Sequence, residues 1–598
     1  VHVCLLVMLA LIPHITPGQF EALILSDVDD EQLDKEFQFD AATSVDMIGN
    51  DSDLNVLGPS RQSAQLANRI EREKVEEKLD EPLDFDVPLP RTELVSLPAE
   101  ANFTDPIESP GGTEYVGGVE GAVDRLTHEI ASSLRERPTL VVWLFDASLS
   151  LKERRNAIAD RFENVYRQLG QMEIAGEKSL KTAVAAYGKT TTILTPDPVE
   201  DVTNTVKLVR GIKDDVSGKE YVFSALQEVT DRWMVYRTKR RHNMMVVIVT
   251  DERGDDAAKM ETTIPKLARY GVRCYVVGNA AVFGRQKGKC RWVYPDKTVD
   301  LIDVDQGPES YFPQRLQLGF WGPNGRDLDR MTASYGPYAL TRLCGETKGV
   351  YLIAEESGGP PIDHAVMREY RPDYRPIKVQ QAQLRHPTKR ALVDAAEMTI
   401  KESIPRPTLV FRADSDTTLR REMTEAQRPL ARLEFMIDKV IGVLSRGEDA
   451  RPTLKERRWQ AAYDLAAGRA LAMFVRAKGY NVMLAQMKSS PRTFEDKENN
   501  TWRLVPGDEM TTGRRVRKTS QQAAEYLKSV IDNHPGTPWA YLAERELSQP
   551  MGWKWEEYHR DYAEIERRRN EPPTVLIVDP ETGEKKRVPK KKHKKPQL

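Results

Sequence analysis

The sequence predicts an α/β fold, a doubly wound and mainly parallel sheet, joined to an all-α C-terminal domain and flanked by disordered N- and C-terminal segments. Three observations predict it. Between 119 and 356, short continuous apolar runs alternate with segments of helical periodicity, the pattern of strands buried on both faces and joined by crossover helices. From 413 to 568 apolar residues recur at helical spacing over long stretches, as amphipathic helices require. Residues 23–110 are acidic and carry a cluster of prolines, and 569–598 are polar and end in a basic run. Segments of that composition bury too little apolar surface to offset chain entropy.

The chain opens on Val3-Cys4-Leu5-Leu6-Val7-Met8-Leu9-Ala10-Leu11-Ile12, an apolar run of export-signal length, shorter than the roughly 20 residues that span a bilayer. Residues 1–22 are therefore expected to be a leader. It would place the protein outside the cytoplasm, in the periplasm, at the cell surface or anchored to the membrane, with membrane contact only through an uncleaved leader. The acidic spacer 23–110 carries one expected helix, at 61–79. Glycines at 111, 112, 117 and 118 lead into a helix in which Val123, Leu126, Ile130 and Leu134 share a face. Leu140 to Phe145 then form a wholly apolar strand. The pattern continues with helix 152–169, strand 182–187, helices 199–209 and 222–234, strand 244–250, helix 257–270 and strand 273–277. A last helix is expected at 337–343 and a last strand at 349–354. The stretch 279–334, rich in Gly, Pro, Trp and Tyr, is too long for a plain connection and predicts an extra hairpin or a lid near the site.

Prolines 372, 376, 387, 405 and 407 mark 357–412 as a linker. In the helical domain, periodic stretches at 417–444 and 454–478 precede a pair of helices at 521–533 and 538–547. Their junction has Gly536 as a stop signal and Thr537 before Pro538 as a cap. Charged residues make up 30% of the chain but nearly cancel, at net −3, so no global field favours nucleic acid. The four cysteines, at 4, 274, 290 and 344, are too few for a disulfide scaffold and are not spaced as zinc ligands. Cys274, in a strand pattern, is expected to be a small buried hydrophobe.

Chemistry concentrates where two of the buried strands end. The strand through Phe145 runs into Asp146-Ala147-Ser148-Leu149-Ser150, and the strand through Val249 into Thr250-Asp251. Ligands bind open α/β sheets outside the carboxyl ends of their strands. There Asp146 and Asp251 each offer a carboxylate, and Ser148 and Ser150 offer hydroxyls on one tight turn. Hard oxygen donors completed by water suit Mg2+ better than zinc or copper, with Mn2+ or Ca2+ as alternatives. Helix capping is the plainer role for two strand-end aspartates, and the serines at i+2 and i+4 favour the cation. Glu252 and Asp255 are expected to form an acidic, partner-binding rim. Arg154-Arg155 and Arg240-Arg241-His242 read as solvated helix and turn charges.

These residues resemble a known family. Asp146-Ala147-Ser148-Leu149-Ser150 is similar to the metal-ion-dependent adhesion site signature of von Willebrand factor A domains, and Val249-Thr250-Asp251 to their later strand motif. Ala183-Val184-Ala185-Ala186-Tyr187-Gly188 resembles the family's second strand, and Gly271-Val272-Arg273-Cys274-Tyr275-Val276-Val277-Gly278 its glycine-bounded strand. The resemblance implies a bound Mg2+ whose open position accepts a carboxylate from a partner protein. One departure matters. Where the family supplies a threonine from a Gly-Gly-Thr loop, Gly218-Lys219-Glu220 leads to Leu226. Glu220 is therefore expected to ligate the cation and make the site less suited to acidic partners.

Enzyme readings find less support. Phosphotransferases of the haloacid dehalogenase type need a second Asp where Ser148 stands, and no phosphate-binding glycine loop follows a predicted strand. No catalytic residue is assigned. The helix pair 521–547 resembles one tetratricopeptide-type hairpin, which needs neighbours to bury its apolar face. The sequence thus predicts a non-catalytic protein binding another protein through a metal face, with a second contact through the helical domain. The alternative is a scaffold with a degenerate metal site.

Overall fold

The computed structural model describes residues 113–570 apart from 172–179, 201, 295–298, 320–330, 356–361, 402–405, 509 and 511, and beyond them 574–578, 585–589, 593 and 595. The expected leader and the acidic spacer with its helix lie outside the described residues. At the centre is a sheet of β1 (Thr113–Tyr115), β2 (Thr139–Asp146), β3 (Leu180–Tyr187), β4 (Thr191–Ile193), β5 (Asn243–Val249), β6 (Val272–Asn279) and β9 (Tyr351–Glu355). The order is β1-β9-β6-β5-β2-β3-β4, parallel except for antiparallel β4.

Continuous apolar strands feed two cores because successive side chains point to opposite faces. Leu140, Val142 and Leu144 of β2 pack under α4 (Val222–Thr238), α5 (Met260–Tyr270) and α6 (Tyr338–Glu346). Val141, Trp143 and Phe145 pack under α1 (Val119–Glu136), α2 (Lys152–Gln171) and α3 (Val202–Arg210). The Trp143 ring meets Phe162 of α2 edge-on at 4.7 Å. Truncating an aromatic so enclosed costs roughly 3–5 kcal/mol. Cys274 and Cys344 lie buried as free thiols.

The long insertion holds an antiparallel hairpin, β7 (Gly288–Val293) with β8 (Val299–Val304). Ile302 and Val304 pack on Leu149, Cys290 and Trp292, so the hairpin rests against the loop after β2. The chain then turns away from the sheet, and Leu316, Leu318, Met331 and Tyr335 enter the core of the C-terminal region.

That region contains α7 (His364–Met367), α8 (Ile377–Gln383), α9 (Pro387–Lys401), α10 (Asp416–Ser445), α11 (Arg457–Ser489), α12 (Arg514–Asn533), α13 (Pro538–Leu547) and α14 (Tyr562–Asn570). It departs from expectation in three ways. Much of the predicted linker is folded, with Leu392, Ala395 and Ala396 of α9 fully buried. The reason is local: Pro376 caps α8 and Pro387 opens α9, so these prolines start helices, where a missing N–H costs nothing. Nor is the region all-α, since β10 (Val410–Arg412), β11 (Thr501–Gly507) and β12 (Gly552–Tyr558) form an antiparallel sheet. Trp502 and Leu504 alternate inward there, a period-two signal in a segment only seven residues long. Finally, the tail expected to be disordered carries a hairpin of β13 (Thr574–Val578) and β14 (Lys585–Pro589), begun by an apolar, β-branched run of high strand propensity.

The centre of this region is α11, 33 residues long and buried on most of its circumference. It supplies the neighbour that the α12–α13 hairpin needs: a side chain at Gly468 would collide with Leu527 at 2.7 Å. The hairpin's junction follows the sequence expectation, with the Thr537 hydroxyl accepting from the Ala540 N–H at 3.2 Å. Among the described residues no helix is long and apolar enough to cross a membrane.

Candidate metal centre

The site forms at the carboxyl ends of β2 and β5. After Asp146 the backbone turns sharply, and the Ser148 N–H donates to Asp146 Oδ1 at 2.7 Å. That turn brings Ser148 and Ser150 together, their hydroxyls 3.1 Å apart. Thr250, at the end of β5, donates from its hydroxyl to Asp146 Oδ2 at 3.2 Å and so ties the two strand ends together. The neighbouring loop is held by backbone bonds, Asp215 N–H to Ala147 O at 2.8 Å and Tyr221 N–H to Gly188 O at 3.0 Å. Gly188 is required by this approach, since a Cβ there would overlap the Asp215 carboxylate at 1.9 Å.

Asp146, Glu220 and Asp251 converge, with one carboxylate oxygen from each within 4.8 Å of the others. All are buried, at 0%, 3% and 5% exposure. Both oxygens of Glu220 and Oδ1 of Asp251 have no hydrogen-bond partner, although buried carboxylates need donors or cations. Burial pushes the Asp146 carboxyl up to about 6, and the Asp251 charge adds to that rise. Burial and the Asp146 charge push Glu220 well above the usual carboxylate range. Asp251 is raised by burial too, with Arg154 opposing. These acids are therefore near enough to share protons, and a cation would displace those protons.

The donor set fits a hard divalent cation. Opposite oxygens lie about 4.2 Å apart around Mg2+ and about 4.8 Å apart around Ca2+, and one oxygen from each of the three carboxylates lies within 4.8 Å of the others, close enough to share one such ion. The five side chains singled out in the sequence as ligands, Asp146, Ser148, Ser150, Glu220 and Asp251, thus meet in one place.

Of the two residues expected to form a rim, Asp255 stays exposed and Glu252 turns inward. Glu252 is buried at 8% exposure, and its Oε1 accepts from the Asp305 N–H at 3.1 Å, which anchors the end of the β7–β8 insertion. Burial, with Asp251 beside it, pushes its carboxyl up to about 8. Asp255 turns toward the site's own loop, accepting from the Glu220 N–H at 3.2 Å. The positive φ of Gly254, 84°, makes that turn. Asp256 caps α4 by accepting from the N–H groups of Phe223 and Ser224.

Sequence reasoning missed Arg154 and Arg155, which are buried rather than solvated. Arg154 donates to Thr250 O at 3.2 Å and to Glu355 at 2.7 Å. Arg155 donates to Asp146 O at 2.9 Å, Ser148 O at 2.7 Å and Asp214 at 2.6 Å. They clamp the loops and add positive charge near the acids without supplying the missing donors. A signal was present: arginines in a first helical turn oppose the helix dipole and need other partners.

Residues 141–288 match the family model of the von Willebrand factor type A domain. No curated protein matches the chain. Among solved structures, BatB from Bacteroides thetaiotaomicron is similar at 10% identity over 37% of this chain and 91% of that one, with a TM-score of 0.23. The SpRpn10 VWA domain is similar at 9% identity over 23% of this chain and 74% of that one, with a TM-score of 0.19. Proximal thread matrix protein 1 from the mussel byssus, with a zinc-occupied MIDAS motif, is similar at 15% identity over 24% of this chain and 36% of its own, with a TM-score of 0.20.

Proposed function

The chain carries a von Willebrand factor type A domain, and from that premise we propose that it is a non-catalytic protein that binds another protein through a Mg2+-dependent face, outside the cytoplasm. Such domains generally serve protein interaction, and a cation held by the acidic cluster would make that interaction metal-dependent in this chain. The observation that supports it is the orphaned pair of oxygens on buried Glu220, converging with Asp146 and Asp251. When bound, a dication supplies the positive charge these acids lack. Asp146, Glu220 and Asp251 would hold it, with the hydroxyls of Ser148 and Ser150; Mn2+ and Ca2+ are the alternatives. The leader-like apolar run at the start of the sequence supports the location.

Glu220 sets the partner chemistry. Three ionised carboxylates around one dication leave the site negative, so a further carboxylate from a partner is repelled and a neutral oxygen donor is favoured. Val216, 69% exposed in the loop before Glu220, offers apolar contact beside the site. The test titrates Mg2+ into wild type and Glu220→Ala. An affinity at least about tenfold weaker in the variant supports the reading, and unchanged affinity overturns Glu220 as a ligand. Partner capture that is lost in EDTA and in Asp146→Ala completes the case.

A second reading is a scaffold with a degenerate metal site whose helical domain holds the partner. It draws on Phe435 of α10, an aromatic ring 61% exposed. Capture that survives Asp146→Ala and maps beyond residue 405 selects it.

A further inference from the structure

The end of the sheet opposite the carboxylates holds a cleft of about 700 Å3 lined by Arg137, Arg237, Arg240, Arg241, Arg269 and Tyr270. These residues come from three separate places: the turn between α1 and β2, the end of α4 with the turn before β5, and the end of α5. Arg237 is built into the wall, donating to Tyr270 O at 2.8 Å and to Asn243 Oδ1 at 3.2 Å. Arg240 lies over the Tyr236 ring at 4.3 Å. Arg273 takes the neighbouring carboxylate, Glu136, at 3.4 Å. Among the described residues no carboxylate pairs with Arg137, Arg240, Arg241 or Arg269.

Two features set this cluster apart from ordinary surface charge. Arg241 has φ 56°, a left-handed backbone that glycine or asparagine adopts far more readily. Burial and the like charges of Arg137 and Arg273 also hold Arg237 below its usual value, so the wall carries unneutralised positive charge. The three helices that end here each present about half a negative charge, which with Glu136 does not cancel five guanidiniums.

We propose that this cleft binds an anion bearing several phosphate groups, at a site separate from the metal face. Guanidinium forks match phosphate oxygens two at a time. The cleft volume exceeds the needs of one phosphate and falls within the range of small-molecule sites, about 300–1,000 Å3. The same chemistry could reach the cleft on a free polyphosphate or on a lipid headgroup.

The test uses the full chain in EDTA, so that no cation at the other end of the sheet bridges to phosphate. Tripolyphosphate is titrated calorimetrically, and flotation is measured with phosphatidylcholine vesicles with and without a phosphatidylinositol bisphosphate. Saturable tripolyphosphate binding, weakened about tenfold or more in the double variant Arg240→Glu/Arg241→Glu and in Arg269→Ala, supports the proposal with a free anion as ligand. Flotation that requires the phosphatidylinositol bisphosphate and is lost in both variants supports it with a headgroup as ligand. All these side chains are exposed, and an unchanged melting temperature verifies that each variant folds. Binding of neither probe, or binding that both variants keep at wild-type strength, overturns the proposal.

Discussion

Glu220 in the sheet domain and Glu546 in the helical region are both buried acids, 3% and 4% exposed, and their surroundings treat them in opposite ways. Glu546 of α13 lies between two arginines of α11, Arg469 at 3.0 Å and Arg476. Burial alone would raise its carboxyl, yet the two guanidiniums hold it below the usual range. Glu220 has no such donor and is pushed the other way. A buried acid with all its partners in the chain is part of the structure, whereas one left without them awaits something from outside. The helical core follows the first pattern again where Arg458 of α11 pairs with buried Glu309 of the insertion.

The largest effect should come from breaking the satisfied pair. Glu546→Ala removes the one carboxylate shared by buried Arg469 and Arg476 and is expected to cost about 3–5 kcal/mol, read as a fall in melting temperature by calorimetry. A fall no larger than that of an exposed control such as Glu544→Ala would dissolve the contrast.

The unsatisfied cluster should respond to pH with the opposite sign from ordinary carboxylates. Metal-free, Asp146 and Glu252 keep protons in the folded state up to about 6 and about 8, whereas in the unfolded chain they release them near about pH 4. The folded state binds more protons across that window, so stability falls as pH rises from about 4 to 8. Asp146 alone accounts for about 3 kcal/mol. Melting curves in EDTA at stepped pH measure this, and a flat profile would mean the acids are not proton-loaded.

Mg2+ at about a hundred times its dissociation constant should then stabilise the wild type by about 2.7 kcal/mol, and Asp146→Ala should abolish that shift. The gain should grow with pH, because cation and protons compete for the same oxygens. The smallest effect is expected at Asp255, which only positions Glu220. Losing its hydrogen bond should weaken Mg2+ about fivefold, equivalent to about 1 kcal/mol. No change in a titration of Asp255→Ala would show that the Glu220 loop is held by its backbone bonds alone.

Much of the sheet domain was legible because its strands are wholly apolar and end in chemistry. Leu140 to Phe145 is a continuous apolar run of strand length, as strands buried on both faces carry, and the serines two and four residues after Asp146 favour a cation over simple helix capping. The helical region was less legible. Pro376 and Pro387 looked like linker residues because a proline that starts a helix and one in an extended chain are identical in sequence. The strands at 501–507 and 552–558 are short and lie between much longer helical signals, so their pairing partners could not be read locally.

By itself the sequence determined the doubly wound sheet and the order of its strands, and it singled out the acidic strand ends that converge, because periodicity and strand-end chemistry are local properties. Only the tertiary structure decided that Glu220 meets Asp146 and Asp251 with no donor in reach, and that Arg154 and Arg155 turn inward. It alone brought five arginines from three distant turns to one cleft. Burial and the meeting of charges depend on which elements pack together, and side chains remote in sequence acquire their electrostatic partners only when the chain has closed around them.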